Sequence, residues 1–457
     1  MSLAYVFLAI LLMPSRVIEI RVAATDVSKM FLDSPDDSDK GTKWAVLVAG
    51  SKDFGNYRHQ ADVCHAYQIM RRGGLKDENI IVFMYDDIAN HPENPTPGII
   101  INKPDGPDVY QGVPKDYTGN ATTKENLYAV LLGNKKQLKG GSGKVLNSGP
   151  DYRVFFYYAD HGAPGLLSMP VGEDVLAREL NHVFKKMHSS RKYKSMVVYV
   201  EACESGSIFD GLLPENIGIY ATTASNPHES SFGYYCDSSQ YNTCLGDLYS
   251  IAWMEDVDKG DTSKETLREQ YQVVKTRTIL SHVMQYGDKM MEKHYLSMYF
   301  GKPQAVPFIS SDFNQRREVE NQSFLSQRDA ELFYFHRKVE KAPIGSTERA
   351  AAQQRLNDEL TRRRKADTTM EMLVNSFYRG FGLLFSSVLS REQTSGQPVV
   401  DDWDCLEAMV RTYERHCGRM STYGKKYLRV LANMCNNGIT IEQMEEVLIG
   451  ACGVKSD

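Results

Sequence analysis

Two short apolar runs in this sequence end in residues that can do covalent chemistry. Residues 152–158 lead into Ala159-Asp160-His161-Gly162, and residues 196–200 lead into Glu201-Ala202-Cys203-Glu204-Ser205-Gly206. A cysteine becomes a nucleophile when a neighbouring base raises its thiolate fraction, and a neutral imidazole suits that task at mildly acidic pH. Gly162 leaves the backbone N–H beside the histidine accessible. That N–H and the one of Cys203 are suited to donate to the oxyanion of a tetrahedral intermediate. On residue types alone, a buried core cysteine near a loop histidine stays open as the competing reading.

The elements that would position this pair can be read from hydrophobic patterning. Residues 44–49, 80–84, 152–158, 196–200 and 217–222 are short, rich in Val, Ile, Tyr and Phe, and bounded by turn residues or helical patterns. Such runs, apolar on both faces and separated by helices, predict a mostly parallel sheet with helices on both faces, an α/β fold. In an open parallel sheet, functional groups collect at the carboxyl ends of the strands, where His161 and Cys203 fall. Helices are expected over 57–72, ending at Gly73-Gly74, over 123–133 and over 174–187. Another is expected from near Thr262, where Thr262 and Glu265 have capping-box spacing.

The chain has 457 residues, room for two or three domains. Its net charge of −5 argues against a nucleic-acid or anionic-membrane partner. The apolar run 3–13 is too short to span a bilayer and is followed by Val22-Ala23-Ala24, so residues 1–24 are expected to form a cleaved signal peptide. Residues 25–42 are polar and acid-rich and read as an N-terminal propeptide. A catalytic core is expected over 43–320 and a charged linker with an exposed helix over 321–367. A small helical domain should follow over 368–457, carrying Cys405, Cys417, Cys435 and Cys452. Cys236 and Cys244 are close enough to close a small loop, whereas Cys64 and Cys203 remain single. No cysteine or Cys/His group has zinc spacing, so neither metal nor cofactor is expected. Sequons at Asn120 and Asn321 agree with a secretory route.

The two reactive segments together resemble the paired motif of the legumain family, the asparaginyl endopeptidases or vacuolar processing enzymes. Tyr57-Arg58-His59-Gln60-Ala61-Asp62, Tyr220-Ala221-Thr222-Thr223-Ala224, Leu245-Gly246-Asp247-Leu248-Tyr249-Ser250 and Trp253-Met254-Glu255-Asp256 are similar to further family blocks. The resemblance runs from about Lys43 to the C-terminus. It implies a caspase-like α/β core with a C-terminal, death-domain-like helical prodomain. It implies a zymogen that autoactivates in acid and cleaves after Asn, less readily after Asp, through a thioester on Cys203. His161 would be base and acid, with Gly162 beside it, and Asn56 would orient the imidazole, although Asn56 also reads as a helix N-cap. Arg58 and His59 would meet the oxygen of the substrate carboxamide, Glu201 and Asp247 its nitrogen, with Ser231 on the wall. Without the resemblance, Arg58 and Asp247 read as surface charges. Asp160 is a succinimide candidate or a structural aspartate.

By the same resemblance the tail pairs Cys405–Cys435 and Cys417–Cys452, where spacing alone permits three pairings. The determinants of ligation against hydrolysis disagree. Only seven residues separate Cys236 from Cys244, and Ala163-Pro164 follows Gly162, both as in peptide ligases. Gly233, after Phe232, is instead hydrolase-like. A transpeptidase that ligates or cyclises peptides is expected, with a mainly hydrolytic protease or a non-catalytic member of the fold as alternatives. The expected partners are peptides and proteins with exposed Asn or Asp and the chain's own prodomain as inhibitor, in a vacuole lumen, with a dimeric zymogen allowed. Asn314, Asn321 and Asp329 are candidate activation cleavage sites.

Overall fold

The computed structural model describes residues 41–238, 240–302, 323–378 and 396–452. The expected signal peptide, most of the N-terminal propeptide, and Asn314 and Asn321 lie outside these residues.

The core is built on strands β1 (Lys43–Ala49), β2 (Ile80–Phe83), β3 (Arg153–Ala159), β4 (Gly162–Ala163), β5 (Leu166–Leu167), β6 (Val175–Leu176), β7 (Ser195–Glu201), β8 (Ile219–Thr223), β9 (Phe232–Tyr234), β10 (Gly246–Asp247), β11 (Met284–Gly287) and β12 (Leu325–Ser326). The main sheet has the order β11-β8-β7-β3-β1-β2. Its inner pairings are parallel, and β11 closes one edge antiparallel to β8. Side chains alternate across a strand. Val46 and Val48 therefore face one apolar cluster, with helices α2 (Lys124–Leu131) and α3 (Ala177–Ser189). Ala45, Leu47 and Ala49 face the other, with α1 (Tyr57–Arg72), α4 (Leu248–Lys259) and α5 (Leu267–Arg277), together with the short α6 (Ser297–Phe300). Burial on both faces explains why the strands read as continuous apolar runs.

Several boundaries differ from expectation for identifiable reasons. The helix expected from 174 begins at Ala177, because Val175 and Leu176 pair with Leu167 and Leu166 instead. The capping box belongs to Thr266 and Glu269: Glu269 N donates to Thr266 Oγ1, and Thr266 N to Glu269 Oε2 at 2.8 Å. Thr262 instead donates its hydroxyl to the Gly301 carbonyl at 2.8 Å.

Beyond the core come α7 (Ala330–Lys341) and α8 (Thr347–Tyr378), so the boundary drawn at 367/368 falls inside one continuous helix. Among the described residues three more α-helices follow: α9 (Trp403–Cys417), α10 (Leu428–Asn436) and α11 (Ile441–Cys452). Disulfides join Cys405 to Cys435, Cys417 to Cys452 and Cys236 to Cys244. The helical unit adds Val399, Val400, Trp403 and Leu406 to the cluster on the α2/α3 side, and it therefore packs onto the core.

Candidate active site

Strands β3 and β7 run side by side, with Ala159 opposite Glu201, and the Asp160 N–H donates to the Glu201 carbonyl at 3.0 Å. The segments that follow stay in contact. A Cβ placed on Gly162 would come within 2.2 Å of the Cys203 carbonyl oxygen, so only glycine fits there. This close approach brings the His161 and Cys203 segments together at the carboxyl edge of the sheet. Both side chains are buried.

Asn56 sits at the start of α1, where it was also read as an N-cap. It makes no capping bond to that helix. Its Nδ2 donates to the Lys52 carbonyl at 2.8 Å, which turns Oδ1 towards His161 Nε2 at 2.7 Å. That acceptor holds the proton on Nε2 and leaves the lone pair on Nδ1. Burial keeps the His161 imidazole neutral, well below its ordinary range, and the nearby His59 adds to the effect. Burial also raises the Cys203 thiol, against the opposing pull of the Arg328 guanidinium. The resting pair is a neutral thiol and a neutral imidazole, able to exchange one proton once a substrate arrives.

Beside the pair lies a polar pocket whose walls come from α1, β7, β10 and the turn before β9. Gln327 fills it. The Gln327 carboxamide oxygen accepts from Arg58 NH2 at 2.8 Å and lies 2.9 Å from His59 Nε2. Its nitrogen donates to Ser231 Oγ at 3.0 Å and reaches Glu201 Oε1 at 3.4 Å. Arg58, His59, Glu201 and Ser231 thus converge on one amide. Asp247 differs from expectation: its Oδ1 takes Arg58 Nε at 3.0 Å, which fixes the guanidinium rather than meeting the amide nitrogen. Burial lowers the His59 imidazole to about 3. His59 Nδ1 is 2.6 Å from Ser51 Oγ and 3.1 Å from Asp160 Oδ1. Burial pushes the Asp160 carboxyl up to about 8. The ligand atoms of His59, Asp160 and His161 lie close enough together to bind an ion. Asn56, Ser51 and Gln327 already hold the two imidazoles.

Gln327 was missed in the sequence, where attention fell on Asn and Asp in the linker; the available signal was a carboxamide one methylene longer than that of Asn. Its segment enters as a strand: β12 pairs antiparallel with β9, Leu325 opposite Gly233, and the Gln327 N–H donates to the Ser231 carbonyl at 3.0 Å. The next residue is clamped. Arg328 pairs with Glu204 and donates to the Thr422 carbonyl at 3.0 Å, while Arg363 of α8 donates to the Arg328 carbonyl at 2.8 Å. Asp329 lies just before α7, bound by Arg363 at 2.8 Å.

The remaining sequence candidates are placed as follows. Ala163 is in β4, and Pro164 lines a cavity together with Trp403 and Leu406 of the helical unit. Lys425 reaches across from that unit to Asp174 Oδ2 at 2.6 Å and to Ser168 Oγ at 2.8 Å. Phe232 and Gly233 lie on β9, and a Cβ on Gly233 would approach Cys244 Sγ to 3.0 Å and Arg58 Cδ to 3.5 Å. Asn120 is exposed on a turn.

The Peptidase C13 family model matches residues 43–302, and the legumain prodomain model matches residues 354–452. The chain is 50% identical over 435 residues to the vacuolar-processing enzyme delta-isozyme of Arabidopsis thaliana, covering 93% of each chain. It is 52% identical over 425 residues to a vacuolar-processing enzyme of Citrus sinensis, covering 90% of this chain and 85% of that one. It is 48% identical over 433 residues to a legumain of Canavalia ensiformis, covering 92% and 90%. Among solved structures, a caspase-1 from Spodoptera frugiperda covers 59% of this chain and 93% of that one at 11% identity and a TM-score of 0.35.

Proposed function

The chain belongs to the peptidase C13 family as a cysteine protease zymogen with a legumain prodomain, and from that premise we propose that it cleaves peptides after asparagine through a thioester on Cys203. The observation that carries this reading is the Gln327 carboxamide held by Arg58 and His59 on its oxygen and by Ser231 and Glu201 on its nitrogen. A site that supplies both donors and acceptors to a buried amide rejects groups that cannot match them.

In the proposed reaction His161 Nδ1 takes the Cys203 proton as sulfur attacks the asparaginyl carbonyl carbon. The Gly162 and Cys203 N–H groups face the oxyanion. His161 returns the proton to the departing amine, leaving a thioester. Water then gives the free acid, or an incoming peptide amine gives a new peptide bond; either restores the thiol. Aspartic acid would be accepted in its protonated form, which imitates the carboxamide. The short Cys236–Cys244 loop and Ala163-Pro164 favour ligation. Gly233 supports the competing, mainly hydrolytic reading, and a Cβ there would press on Cys244 Sγ at 3.0 Å.

Latency follows from the chain lying across its own site. Leu325 to Gln327 occupy the path of a substrate, Arg328 and Arg363 hold the next peptide, and Lys425 of the prodomain reaches Ser168. We infer acid autoactivation through cleavage in the linker, with Asp329 and, outside the described residues, Asn314 and Asn321 as candidates. A vacuolar location is inferred from the relatives' names, and the secretory route from the N-terminal apolar run and the sequons, with Asn120 available for glycosylation.

The test is to incubate acid-treated protein with a peptide ending Asn-Ser-Leu from about pH 4 to about pH 7, with Asp and Gln analogues, and to read products by mass spectrometry. Cleavage after Asn, much slower cleavage after Gln, and none with Cys203→Ala are expected. Cyclic product near neutral pH supports ligation, and wholly linear product throughout would leave a hydrolase. No cleavage after Asn would sink the reading.

A further inference from the structure

Behind the carboxamide pocket lies a second buried acid that no step above uses. Asp62 is on α1, four residues after Arg58 and so on the same helical face. It has no exposed surface. Its Oδ1 accepts from Asn102 Nδ2 at 2.7 Å, and that same nitrogen holds the Leu245 carbonyl at 2.9 Å. Asn102 Oδ1 lies 2.8 Å from His65 Nδ1, so the amide is held from both ends. The other oxygen, Asp62 Oδ2, is buried and takes no ordinary N–H or O–H donor among the described residues; the same is true of Asp247 Oδ2. Asp247 is the charged group that acts most strongly on Asp62, and Asn102 ties Asp62 to the Leu245 carbonyl, two residues before Asp247.

Two carboxylates facing each other in a dry interior cannot both be ionised, so one proton must lie between them. Their other oxygens decide where it sits. Asp247 Oδ1 faces the Arg58 guanidinium, which holds a negative charge there, whereas Asp62 Oδ1 faces only a neutral amide. Burial and then Asp247 raise the Glu201 carboxyl as well, but its oxygens already receive the Ser250 N–H, the Ser250 hydroxyl and the Gln327 amide, so it is not the donor to Asp247.

We propose that Asp62 is a positioning residue of the carboxamide pocket, a carboxylic acid that donates through Oδ2–H to Asp247 Oδ2 and so fixes the turn of the carboxylate that holds Arg58. With Asp62 neutral, the buried Arg58–Asp247 pair cancels and Asp62 adds no further charge behind it. The charged groups that act on Asp62 are Asp247 and Glu201, with Arg58 one turn earlier on the same helix, Tyr157 and Cys64 nearby, and His65 reached through Asn102. Beyond Asp247, His59 Nε2 lies 3.5 Å from its Oδ2. Burial, with Asp247 next, raises the Asp62 carboxyl. An acid raised in the fold contributes stability that is present at low pH and lost as pH rises.

This inference deepens the asparagine reading and rests on it for its kinetic arm. The full chain is made as Asp62→Asn and Asp62→Ala and activated in acid. The amide introduced by Asp62→Asn can accept from Asn102 and donate to Asp247, so this variant should keep kcat/KM for an Asn peptide within about threefold, with an unchanged Asn-to-Asp preference in acid. Asp62→Ala should raise KM about tenfold with a smaller change in kcat. A tenfold loss in Asp62→Asn, or a shift of its preference towards Asp in acid, would overturn the proposal by showing an ionised Asp62. Should wild type itself fail to cleave after Asn, the pocket reading fails, and thermal unfolding of the Cys203→Ala zymogen still decides about the proton. There Asp62→Asn should match its parent in acid and lose less stability as pH rises; equal losses in both would overturn the inference, also where Asp62→Ala does not fold.

Discussion

The carboxamide pocket and the reactive pair share one sheet edge, yet they use burial in opposite ways. In the pocket, charges are buried and compensated: Arg58 meets Asp247, the Gly55 carbonyl and an amide oxygen. In the reactive pair, burial removes charge. His161 is held neutral beside Asn56, and the Cys203 thiol has a soft contact with Ser231 Oγ at 3.9 Å. The pocket is organised before substrate arrives, and stability depends on its integrity. The pair is left poised, and its contacts contribute little to the fold.

The contrast breaks most visibly at Arg58. Removing one partner of a buried ion pair leaves the other uncompensated, at a cost of about 3–5 kcal/mol. Arg58→Ala should therefore lower Tm sharply in a calorimetric scan and raise KM for Asn peptides in whatever protein folds. Asn56→Ala should do the reverse, reducing kcat about ten- to a hundredfold through loss of the imidazole's orientation while Tm moves little. Equal stability losses in the two variants would dissolve the distinction.

The reactive pair was the more legible of the two regions. Strand-end placement followed from continuous apolar runs, and Gly162 marks a close approach that the backbone contact explains. The pocket was legible only through resemblance, because Arg58, Glu201 and Asp247 come from different parts of the chain. Even then Asp247 was assigned to the amide nitrogen, since patterning cannot say which acid a guanidinium will claim. Local signals slipped where two solutions compete. Thr262/Glu265 and Thr266/Glu269 have the same spacing, and the Gly301 carbonyl decides between them by engaging Thr262. The polar linker hid Gln327 because its role is defined by what it docks against, not by its own pattern.

That docking offers an intermediate test, in which the pocket is asked to deliver a bond to the pair. Gln327 is one methylene longer than asparagine, and its backbone stands correspondingly off the asparaginyl position. Gln327→Asn should bring the backbone carbonyl of residue 327 itself nearer to Cys203, so acid-treated zymogen should be cut between positions 327 and 328 about tenfold faster, seen by intact-mass spectrometry. No new cut there would mean that Arg328 and Arg363, rather than side-chain length, protect the bond.

The smallest effect is expected where the prodomain clamp touches the reactive loop. Glu204 pairs with Arg328 and invites the view that acid opens the lock by protonating it. Its carboxyl, however, is raised, because burial outweighs the Arg328 guanidinium. A group raised in the capped form contributes most below its ordinary value and loses that contribution as pH rises, the reverse of what acid release requires. The covered edge is also held by the ion pair of Asp174 with Lys425 at 2.6 Å. Glu204→Gln should leave the midpoint pH of activation within about 0.3 of wild type, whereas Asp174→Asn, which removes a carboxylate from the lock, should move it upward. A larger downward shift in Glu204→Gln would assign the release to Glu204 and place the pH sensor beside the nucleophile instead of at the prodomain edge.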